Sequence, residues 1–573
     1  MQRIAAFALC VSLAACSGGS RALPPVASGV NSTTKALSTA HFTIAVPPKS
    51  AQAKARNPKY VSVNTQSVVI ALQSVNGKPF TGTQAETAVN LTSSSPDCSG
   101  TPLTCSISVP AAAGNDAFAV STYDAQQTSA SPATPAGNLL SSGTVMVNVV
   151  AGQANAPSTP LVLDGVAVSF IATFPSDPHI SAISSGGNPG FAIVGNAPYT
   201  LTITPQDASG ASIIGPGAPA YNVTSPSAEV TVTAAGNNTF AVQVKSYSAN
   251  PINLQVAPQN SSIFTLATPL PIQEIEELWV ANYENYANAI TAYALASAPY
   301  QMTSDSINAN GQNIYHAMAV AFDPSGNLWV GYFGSQNILA YSLAGGPTPI
   351  ASDTIDNGTV PLPGPPTGLA FDAGGDLWAA TDNGYVTAYN VPPQVSPPAQ
   401  IQAYTLAVPP NTATPGVQSM LTSIAFNPSS TLVGQTFWLG NAYNPNVIEY
   451  SIPLTGIKNT IAETTSTADN YGLAVDAHGN LWIANQNNMS VSEYSQSNTS
   501  APQLAIQTPT GGPTGLAFDG NGNLWVACSA GGINSVGEVA EFATAGGTVN
   551  TSSAVAATIT DGINTPYGLA IAP

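Results

Sequence analysis

The sequence predicts an all-β protein with two tandem Ig-like β-sandwich domains followed by a six-bladed β-propeller, which the C-terminal strand closes. Two observations predict this fold class. Short alternating segments separated by turn residues are duplicated across residues 41–163 and 164–270. In residues 271–573, six tryptophans recur in one local setting, at a spacing typical of propeller blades.

Residues 1–16 are predicted to be a lipoprotein signal peptide with a lipobox. Arg3 supplies a positive n-region, and the apolar h-region that follows is too short to span a bilayer. The segment Leu13-Ala-Ala-Cys16 resembles the lipobox of bacterial lipoproteins, which implies export, lipidation of Cys16 and anchoring in the cell envelope. Ser17 in place of Asp implies sorting to the outer membrane. The alternative is an ordinary signal peptide in which Cys16 is incidental.

Residues 17–40 are predicted to be a flexible tether, because they are rich in Ser, Ala, Gly and Pro and lack apolar periodicity. Charge is divided at Phe80: seven basic residues precede it after the signal peptide, whereas all 28 acidic residues follow it. The basic stretch either contacts anionic headgroups or is a solvated tether. The acidic body repels phosphate backbones, so nucleic acid is not a predicted partner. The membrane is a predicted partner through the lipid anchor.

Three collinear matches indicate the duplicated sandwich. Their first members begin at Val68, Ala88 and Ala112, and the corresponding segments are Val68-Val-Ile-Ala-Leu with Leu201-Thr-Ile-Thr-Pro, Ala88-Val-Asn-Leu-Thr with Ala220-Tyr-Asn-Val-Thr, and Ala112-Ala-Gly-Asn with Ala234-Ala-Gly-Asn. Cys98 and Cys105 lie in a turn-rich segment of the first copy. Export to an oxidising compartment favours a disulfide between them.

The propeller prediction rests on a repeated unit. An apolar strand ends in Asp, as in Gly368-Leu-Ala-Phe-Asp372, and a tight turn leads to a strand containing Trp. A third strand ends in Tyr or Phe. The six tryptophans are Trp279, Trp329, Trp378, Trp438, Trp482 and Trp525.

The ring is predicted to close through the C-terminus. The first Trp strand has no Gly-Leu-Ala-Phe-Asp strand before it, whereas the final segment Tyr567-Gly-Leu-Ala-Ile571 has no Trp strand after it. Pairing the two completes blade one and covers an open sheet edge. This half of the chain resembles the NHL-repeat and SMP-30/gluconolactonase-like propellers, and more loosely the virginiamycin B lyase-like ones.

The residues after each Trp strand are predicted to face one rim of the propeller, which is rich in amides and aromatics. Such groups suit sugars or extended peptides through stacking and neutral hydrogen bonds. The alternative is that Asn is simply a good turn residue. The candidate ligand-binding residues are Asn282, Tyr283, Tyr332, Phe333, Asp382, Asn441, Tyr443 and Asn485.

Two functions stay open at this level. The first is a non-enzymatic envelope lipoprotein whose propeller binds a protein, peptide or glycan and needs no cofactor. The second, implied by the resemblance, is an SMP-30-like hydrolase or lyase with calcium or another divalent metal. Its candidate ligands are Glu284, Asp382, Asn441 and Asn485, and His316 is the candidate base of a lyase; none forms a family motif, so no catalytic residue is assigned.

Overall fold

The computed structural model describes most of the chain from residue 38 onward. The described residues are 38–48, 61–81, 86–159, 161–215, 217–245, 248, 250–259, 268–284, 289–296, 298–303, 305–308, 314–343, 346–356, 358, 360–393, 395–408, 419–428, 432, 434–442, 446–462, 469–496, 499–509, 511–529, 537–545, 548–549 and 555–572. The predicted signal peptide, with Cys16, and most of the tether lie outside them. Among the described residues, no helix has the length and hydropathy needed to cross a bilayer.

The first sandwich packs two antiparallel sheets around Phe42 and Phe118, whose rings meet edge to face at 5.2 Å. Cys98 and Cys105 form the predicted disulfide between neighbouring strands of the smaller sheet. The smaller sheet contains Ser38–Val46, Leu103–Ala111 and Cys98–Ser99. The larger contains Lys78–Pro79, Ser67–Val75, Gly114–Tyr123, Leu139–Val149 and Asp164–Gly165, with Glu86–Asn90 paired to Ser67–Val75.

The second sandwich repeats the two-sheet arrangement around a core that includes Phe240 and Tyr221. Its last strand, Thr268–Ile275, extends across the predicted boundary at residue 270 and leads directly into the propeller. One sheet contains Ser169–Thr173, Tyr199–Gln206, Thr239–Val244 and Val230–Gly236. The other contains Ile180–Ser185, Asn188–Val194, Thr268–Ile275, Ile252–Pro258 and Tyr221–Thr224.

The propeller has six four-stranded antiparallel sheets, each with an inner strand at the axis followed by the Trp strand. From the axis outward, blade one contains Pro566–Ile571, Glu277–Asn282, Ile290–Ala294 and Tyr300–Gln301. Blade two contains Ala317–Phe322, Leu328–Tyr332, Asn337–Ser342 and Thr348–Asp356. Blade three contains Pro366–Phe371, Leu377–Thr381, Tyr385–Asn390 and Ala399–Ala407. Blade four contains Leu421–Phe426, Thr436–Asn441, Asn446–Ser451 and Ile457–Ala462. Blade five contains Asn470–Val475, Leu481–Asn485, Ser490–Tyr494 and Leu504–Gln507. Blade six contains Gly512–Phe518, Leu524–Ser529, Glu538–Phe542 and Ala557–Ile559. A small hairpin, Thr544–Ala545 with Thr548–Val549, follows the third strand of blade six.

The C-terminal strand closes the ring as predicted. Pro566–Ile571 pairs antiparallel with the Trp strand of blade one, in a register that sets Leu278 opposite Ile571 and Trp279 opposite Ala570. The same strand contacts the inner strands of blades two and six, so every inner strand has a neighbour on each side. Closure therefore leaves no open blade edge at the axis.

Each tryptophan packs between two blades. All six are at most 2% exposed. Trp329, for example, meets Phe371 of the next inner strand edge to face at 6.2 Å, and Trp279 meets Phe322 in the same way at 6.3 Å. Because both faces of each sheet contact a neighbouring blade, the inner and Trp strands are apolar on both faces.

Each indole N–H is bonded to a polar side chain at the far end of the blade. Asp372 accepts from Trp378 Nε1 at 2.7 Å and also from the backbone N–H groups of Gly374 and Asp376. The carboxylate therefore fixes the turn and the indole at once. The equivalent acceptors are Asp323, Asp476 and Asp519 in blades two, five and six, and the amide of Asn427 in blade four.

Blade one uses a different acceptor. Its inner strand comes from the C-terminus and ends without an Asp, so Glu277, two residues before Trp279, accepts the indole N–H at 3.0 Å. Glu277 is buried where the second sandwich meets the propeller.

Candidate functional site

One rim of the propeller surrounds the mouth of the axial channel; we call it the candidate rim. Inner strands begin there and Trp strands end there. Behind it, the six inner strands enclose a cavity of about 70 Å³. The described residues that line this cavity are Met318, Ala319, Val320, Thr367, Gly368, Leu369, Thr422, Ser423, Ile424, Tyr471, Gly472, Leu473, Thr514, Gly515, Leu516, Tyr567, Gly568 and Leu569.

The channel is narrow because small residues bring the inner strands together. A Cβ added to Gly515 would lie 1.9 Å from the backbone oxygen of Tyr567, and one added to Gly568 would lie 2.6 Å from that of Met318. The threonines beside these positions join neighbouring blades. Thr514 Oγ1, for instance, donates to the Pro566 oxygen at 2.6 Å.

Aromatic side chains gather at the mouth of this channel. Tyr283 stacks on His316 with ring centroids 4.2 Å apart and also lies 5.3 Å from Tyr567 and 6.1 Å from Phe333. The Tyr567 ring lies 6.0 Å from Tyr471. All five side chains are partly exposed, so they form a surface rather than a core; we call them the rim aromatic cluster.

Tyr567 is the phenol of the cluster whose pKa is raised. Burial raises the pKa of the Tyr567 phenol, and the neighbouring Tyr283 and Glu284 raise it further. The phenol therefore keeps its proton at neutral pH. It can donate or accept a hydrogen bond while its ring offers a face or edge for stacking.

Backbone pairing at the blade entrances positions the cluster. His316 has a φ of +57°, and its carbonyl accepts from the N–H of Phe333 at 2.9 Å. Thr565 occupies the corresponding position in blade one, with a φ of +49° and a bond from the N–H of Tyr283 at 3.1 Å. The left-handed backbone of His316 therefore shapes the entrance to blade two in the same way as that of Thr565 shapes the entrance to blade one.

The predicted rim residues divide into two groups. Tyr283, Phe333 and Asp382 are partly exposed on the candidate rim, and burial raises the pKa of the Asp382 carboxyl although the Asn383 N–H opposes it. Tyr443 lies outside the described residues. The remaining four, Asn282, Tyr332, Asn441 and Asn485, are at most 2% exposed.

These four side chains lie within the blades at the last position of a Trp strand. Asn282 donates to Thr291 Oγ1 at 3.1 Å and accepts from the N–H of Asn564 at 3.0 Å. The Tyr332 hydroxyl bonds that of Tyr341 at 2.9 Å. Asn282, Tyr332 and Asn485 thus bond the adjacent strand of their own blade and support the rim from behind. A direct role in ligand binding stays a prediction.

Sequence reasoning did not single out Tyr471 and Tyr567 as rim residues. Both sit at the same position of an inner strand, in the repeated segment Tyr-Gly-Leu-Ala. The repetition was visible, but it marked the strands rather than the channel mouth. The pairing of Tyr283 with Tyr567 depends on ring closure between residues 284 positions apart in sequence.

Within the described ranges, no three His, Cys, Asp or Glu side chains come together as a metal site would require. His316, the candidate base, contacts the Tyr283 ring. His478 is exposed on the opposite rim, at the turn formed by Asp476.

Comparisons with known proteins place few limits on the function. No family model matches the chain, and no curated protein matches it. A protein of unknown function from Bacteroides caccae is similar at 11% identity and a TM-score of 0.35, over 52% of this chain and 99% of that one.

Two further solved structures are similar over the same kind of range. Virginiamycin B lyase from Staphylococcus aureus has 12% identity and a TM-score of 0.32, over 61% of this chain and 92% of that one. The WD40 β-propeller domain of Doa1 has 10% identity and a TM-score of 0.30, over 44% of this chain and 86% of that one. At these scores the fold assignment rests on the sheet topology described above.

Proposed function

We propose that this protein is a non-enzymatic cell-envelope lipoprotein that presents its propeller as a binding module for a protein, peptide or glycan. The lipid anchor at Cys16 would hold the chain at the outer membrane, and the two sandwiches would act as spacers. The propeller would then meet its ligand through the candidate rim.

The observation that carries this proposal is the rim aromatic cluster. Tyr283, Tyr567 and Phe333 converge at the channel mouth, with neutral phenols and partly exposed rings. Aromatic faces and neutral hydrogen-bonding groups suit sugar rings and extended peptides. Beyond Phe80 the only basic residues are Lys245 and Lys458, which disfavours a ligand recognised through phosphate or carboxylate groups.

The metal-dependent alternative has less support from the site. The described residues that line the axial cavity offer hydroxyl, glycyl, aromatic and aliphatic groups. Divalent cations such as calcium prefer several carboxylate and carbonyl oxygens converging at about 2.3–2.6 Å. The cavity wall therefore suits binding at its mouth better than metal chemistry on its axis.

A binding experiment tests the ligand. The full chain is applied to glycan and peptide arrays, and each hit is titrated with the Tyr283→Ala and Tyr567→Ala variants. We expect each substitution to weaken binding by about 1–3 kcal/mol, the range of a well-placed aromatic contact. Tyr385→Ala is the matched control, because Tyr385 is 38% exposed and lies outside the cluster.

Two results would contradict the proposal. Equal affinity of the cluster variants and the control for every hit would remove the rim aromatic cluster as the binding surface. For the anchor, we expect Cys16→Ala to move the protein from the membrane fraction to the soluble fraction. An unchanged distribution would exclude lipid anchoring through this residue.

A further inference from the structure

The second sandwich meets the propeller at a cluster of buried and half-buried titratable groups, which we call the junction cluster: Asp177, His179, Glu277 and Asp305. His179 precedes a strand of the sandwich, whereas Glu277 and Asp305 belong to blade one. His179 Nε2 lies 2.6 Å from Asp305 Oδ2, and its Nδ1 lies 2.7 Å from Asp177 Oδ1. The His179 side chain is 17% exposed and that of Asp305 is 6% exposed.

The contacts of His179 require two ring protons. A carboxylate only accepts hydrogen bonds, so an imidazole with a carboxylate at each nitrogen must donate from both. The bond to Asp305 is the main cause that raises the pKa of His179 to about 9, with Asp177 adding to it and burial opposing it. An imidazolium therefore joins the two domains at neutral pH.

Glu277 requires a further proton. Its Oε2 accepts from Trp279 Nε1, but its Oε1 is buried without a hydrogen-bond donor and faces the carboxyl of Asp305. A proton between the two carboxyls supplies the missing donor. Burial chiefly, and then Asp305, raise the pKa of Glu277 to about 8, whereas its bond from Trp279 and the charge on His179 lower it.

We propose that the junction cluster is a proton-dependent latch: the protonated forms of His179 and Glu277 hold the second sandwich against the propeller, and loss of these protons releases it. The other titratable groups that face the cluster are Tyr199 of the sandwich and Tyr300 of blade one. Deprotonation would leave Glu277 and Asp305 as uncompensated buried carboxylates beside the partly exposed Asp177, which is strongly unfavourable.

The segment that connects the two domains carries two further buried acids. Glu276 accepts from the N–H of Gly520 in blade six at 2.8 and 3.0 Å, and Glu274 is buried two positions before it. Burial is the main cause that raises the pKa of each carboxyl to about 7. The pKa of Glu274 is raised further by Glu229 of the sandwich, and Glu276 is bonded within the propeller. The latch is therefore assigned to His179 and Glu277.

Contacts at the junction raise the pKa values of His179 and Glu277, so docking binds protons and is favoured at low pH. For Glu277, this contribution is complete below its ordinary pKa near 4.5 and is lost as the pH rises through about 8. For His179, the contribution to docking is complete below its ordinary pKa of 6.5 and is lost as the pH rises through about 9. The latch should therefore hold at pH 6 and release near pH 9.

Pulsed electron paramagnetic resonance measures the release directly. Spin labels are placed on the full chain at Ser184→Cys in the sandwich and Ala477→Cys in the propeller, two exposed positions. Cys10 and Cys16 are replaced by Ser so that they take no label, and Cys528 is buried. We expect a narrow distance distribution at pH 6 and at least about a twofold broader one at pH 9, because the domains then sample more orientations.

Two variants separate the latch from general unfolding. Glu277→Gln can still accept from Trp279 and can donate to Asp305 without a proton from solution, so it should keep the distribution narrower than wild type at pH 9. His179→Gln lacks the charge and should give the broad distribution already at pH 6. His478→Gln, at an exposed histidine of blade five, is the control and should behave as wild type.

The proposal is overturned if the wild-type distribution is the same at pH 6 and pH 9. It is also overturned if Glu277→Gln broadens as much as wild type at pH 9, or if His179→Gln stays narrow at pH 6. Circular dichroism at each pH verifies that the sheets stay folded. Failure of the latch would leave the ligand-binding proposal untouched, because the cluster at the candidate rim is a separate site.

Discussion

At the scale of single residues, each blade depends on one side-chain acceptor for its indole N–H, a carboxylate in five blades and the Asn427 amide in blade four. Asp372 is 6% exposed and accepts from an indole N–H and two backbone N–H groups. The sequence predicted the turn contacts of this Asp, since Asp before a Gly-containing turn commonly bonds backbone N–H groups. It did not reveal the bond to the tryptophan, which spans six residues and requires both strands to be folded.

This contact gives the first prediction at the residue scale. We expect Asp372→Ala to lower the free energy of unfolding by about 3 kcal/mol, because the buried N–H groups of Asp376 and Trp378 lose their acceptor and so does the N–H of the exposed Gly374. Asp372→Asn should cost only about 1 kcal/mol, since an amide oxygen can still accept. Blade four already uses this arrangement, with Asn427 accepting from Trp438. Urea unfolding of the three proteins measures the difference, and equal losses for both variants would contradict the assigned role.

The ends of the Trp strands show a limit of residue-level reasoning. Asn282 and Asn485 follow an apolar strand and were predicted to face the rim. In the structure each strand continues through its Asn, and the side chain bonds a neighbouring strand of the same blade. An Asn suits a turn and a strand end alike, so sequence alone does not fix where the strand stops.

At the scale of elements, four of the six inner strands approach a neighbour more closely than a side chain would permit. Gly368, Gly472, Gly515 and Gly568 occupy one position in four inner strands, and Ala319 and Ser423 occupy it in the other two. An added Cβ at any of the four glycines would come within 2.8 Å of the adjacent strand. Glycine is therefore needed in the repeated Gly-Leu-Ala segment because the inner strands of neighbouring blades approach each other closely at the axis.

The second prediction follows from this packing. We expect Gly515→Ala to cost about 3 kcal/mol or more in unfolding free energy, because a methyl group 1.9 Å from a backbone oxygen forces two strands apart. Gly358→Ala is the control: its Cβ would meet only the Asp356 carboxylate at 3.4 Å. Thermal unfolding of both variants checks this. A Gly515 variant as stable as the Gly358 variant would show that the inner strands lie farther apart than described.

At the scale of the whole molecule, the repeat pattern was sufficient to predict the architecture. Six tryptophans in one local setting predicted the number of blades, and an unpaired final segment predicted the closing strand. Each repeat needs neighbours because it cannot bury its two faces alone. The tether and the lipid anchor at Cys16 stay predictions.

The contacts between domains could not be predicted. His179 and Asp305 lie 126 positions apart, and neither stands in a motif. Their meeting depends on how the sandwich docks beside blade one, which depends in turn on closure of the ring. The same holds for the rim aromatic cluster, where the C-terminal Tyr567 meets Tyr283 near the start of the propeller. Long-range assembly, rather than local pattern, creates both sites.

Hydrogen exchange of the C-terminal strand tests the account most directly, because the propeller, the rim aromatic cluster and the junction cluster all depend on its docking. In the full chain, mass spectrometry compares residues 566–572 with the Trp strand Glu277–Asn282, to which they pair. We predict similar strong protection in both segments, including the N–H of Ala572, which bonds the Glu277 oxygen at 2.8 Å. Exchange of residues 566–572 at the rate of an unstructured chain end, beside a protected Trp strand, would contradict the closed propeller.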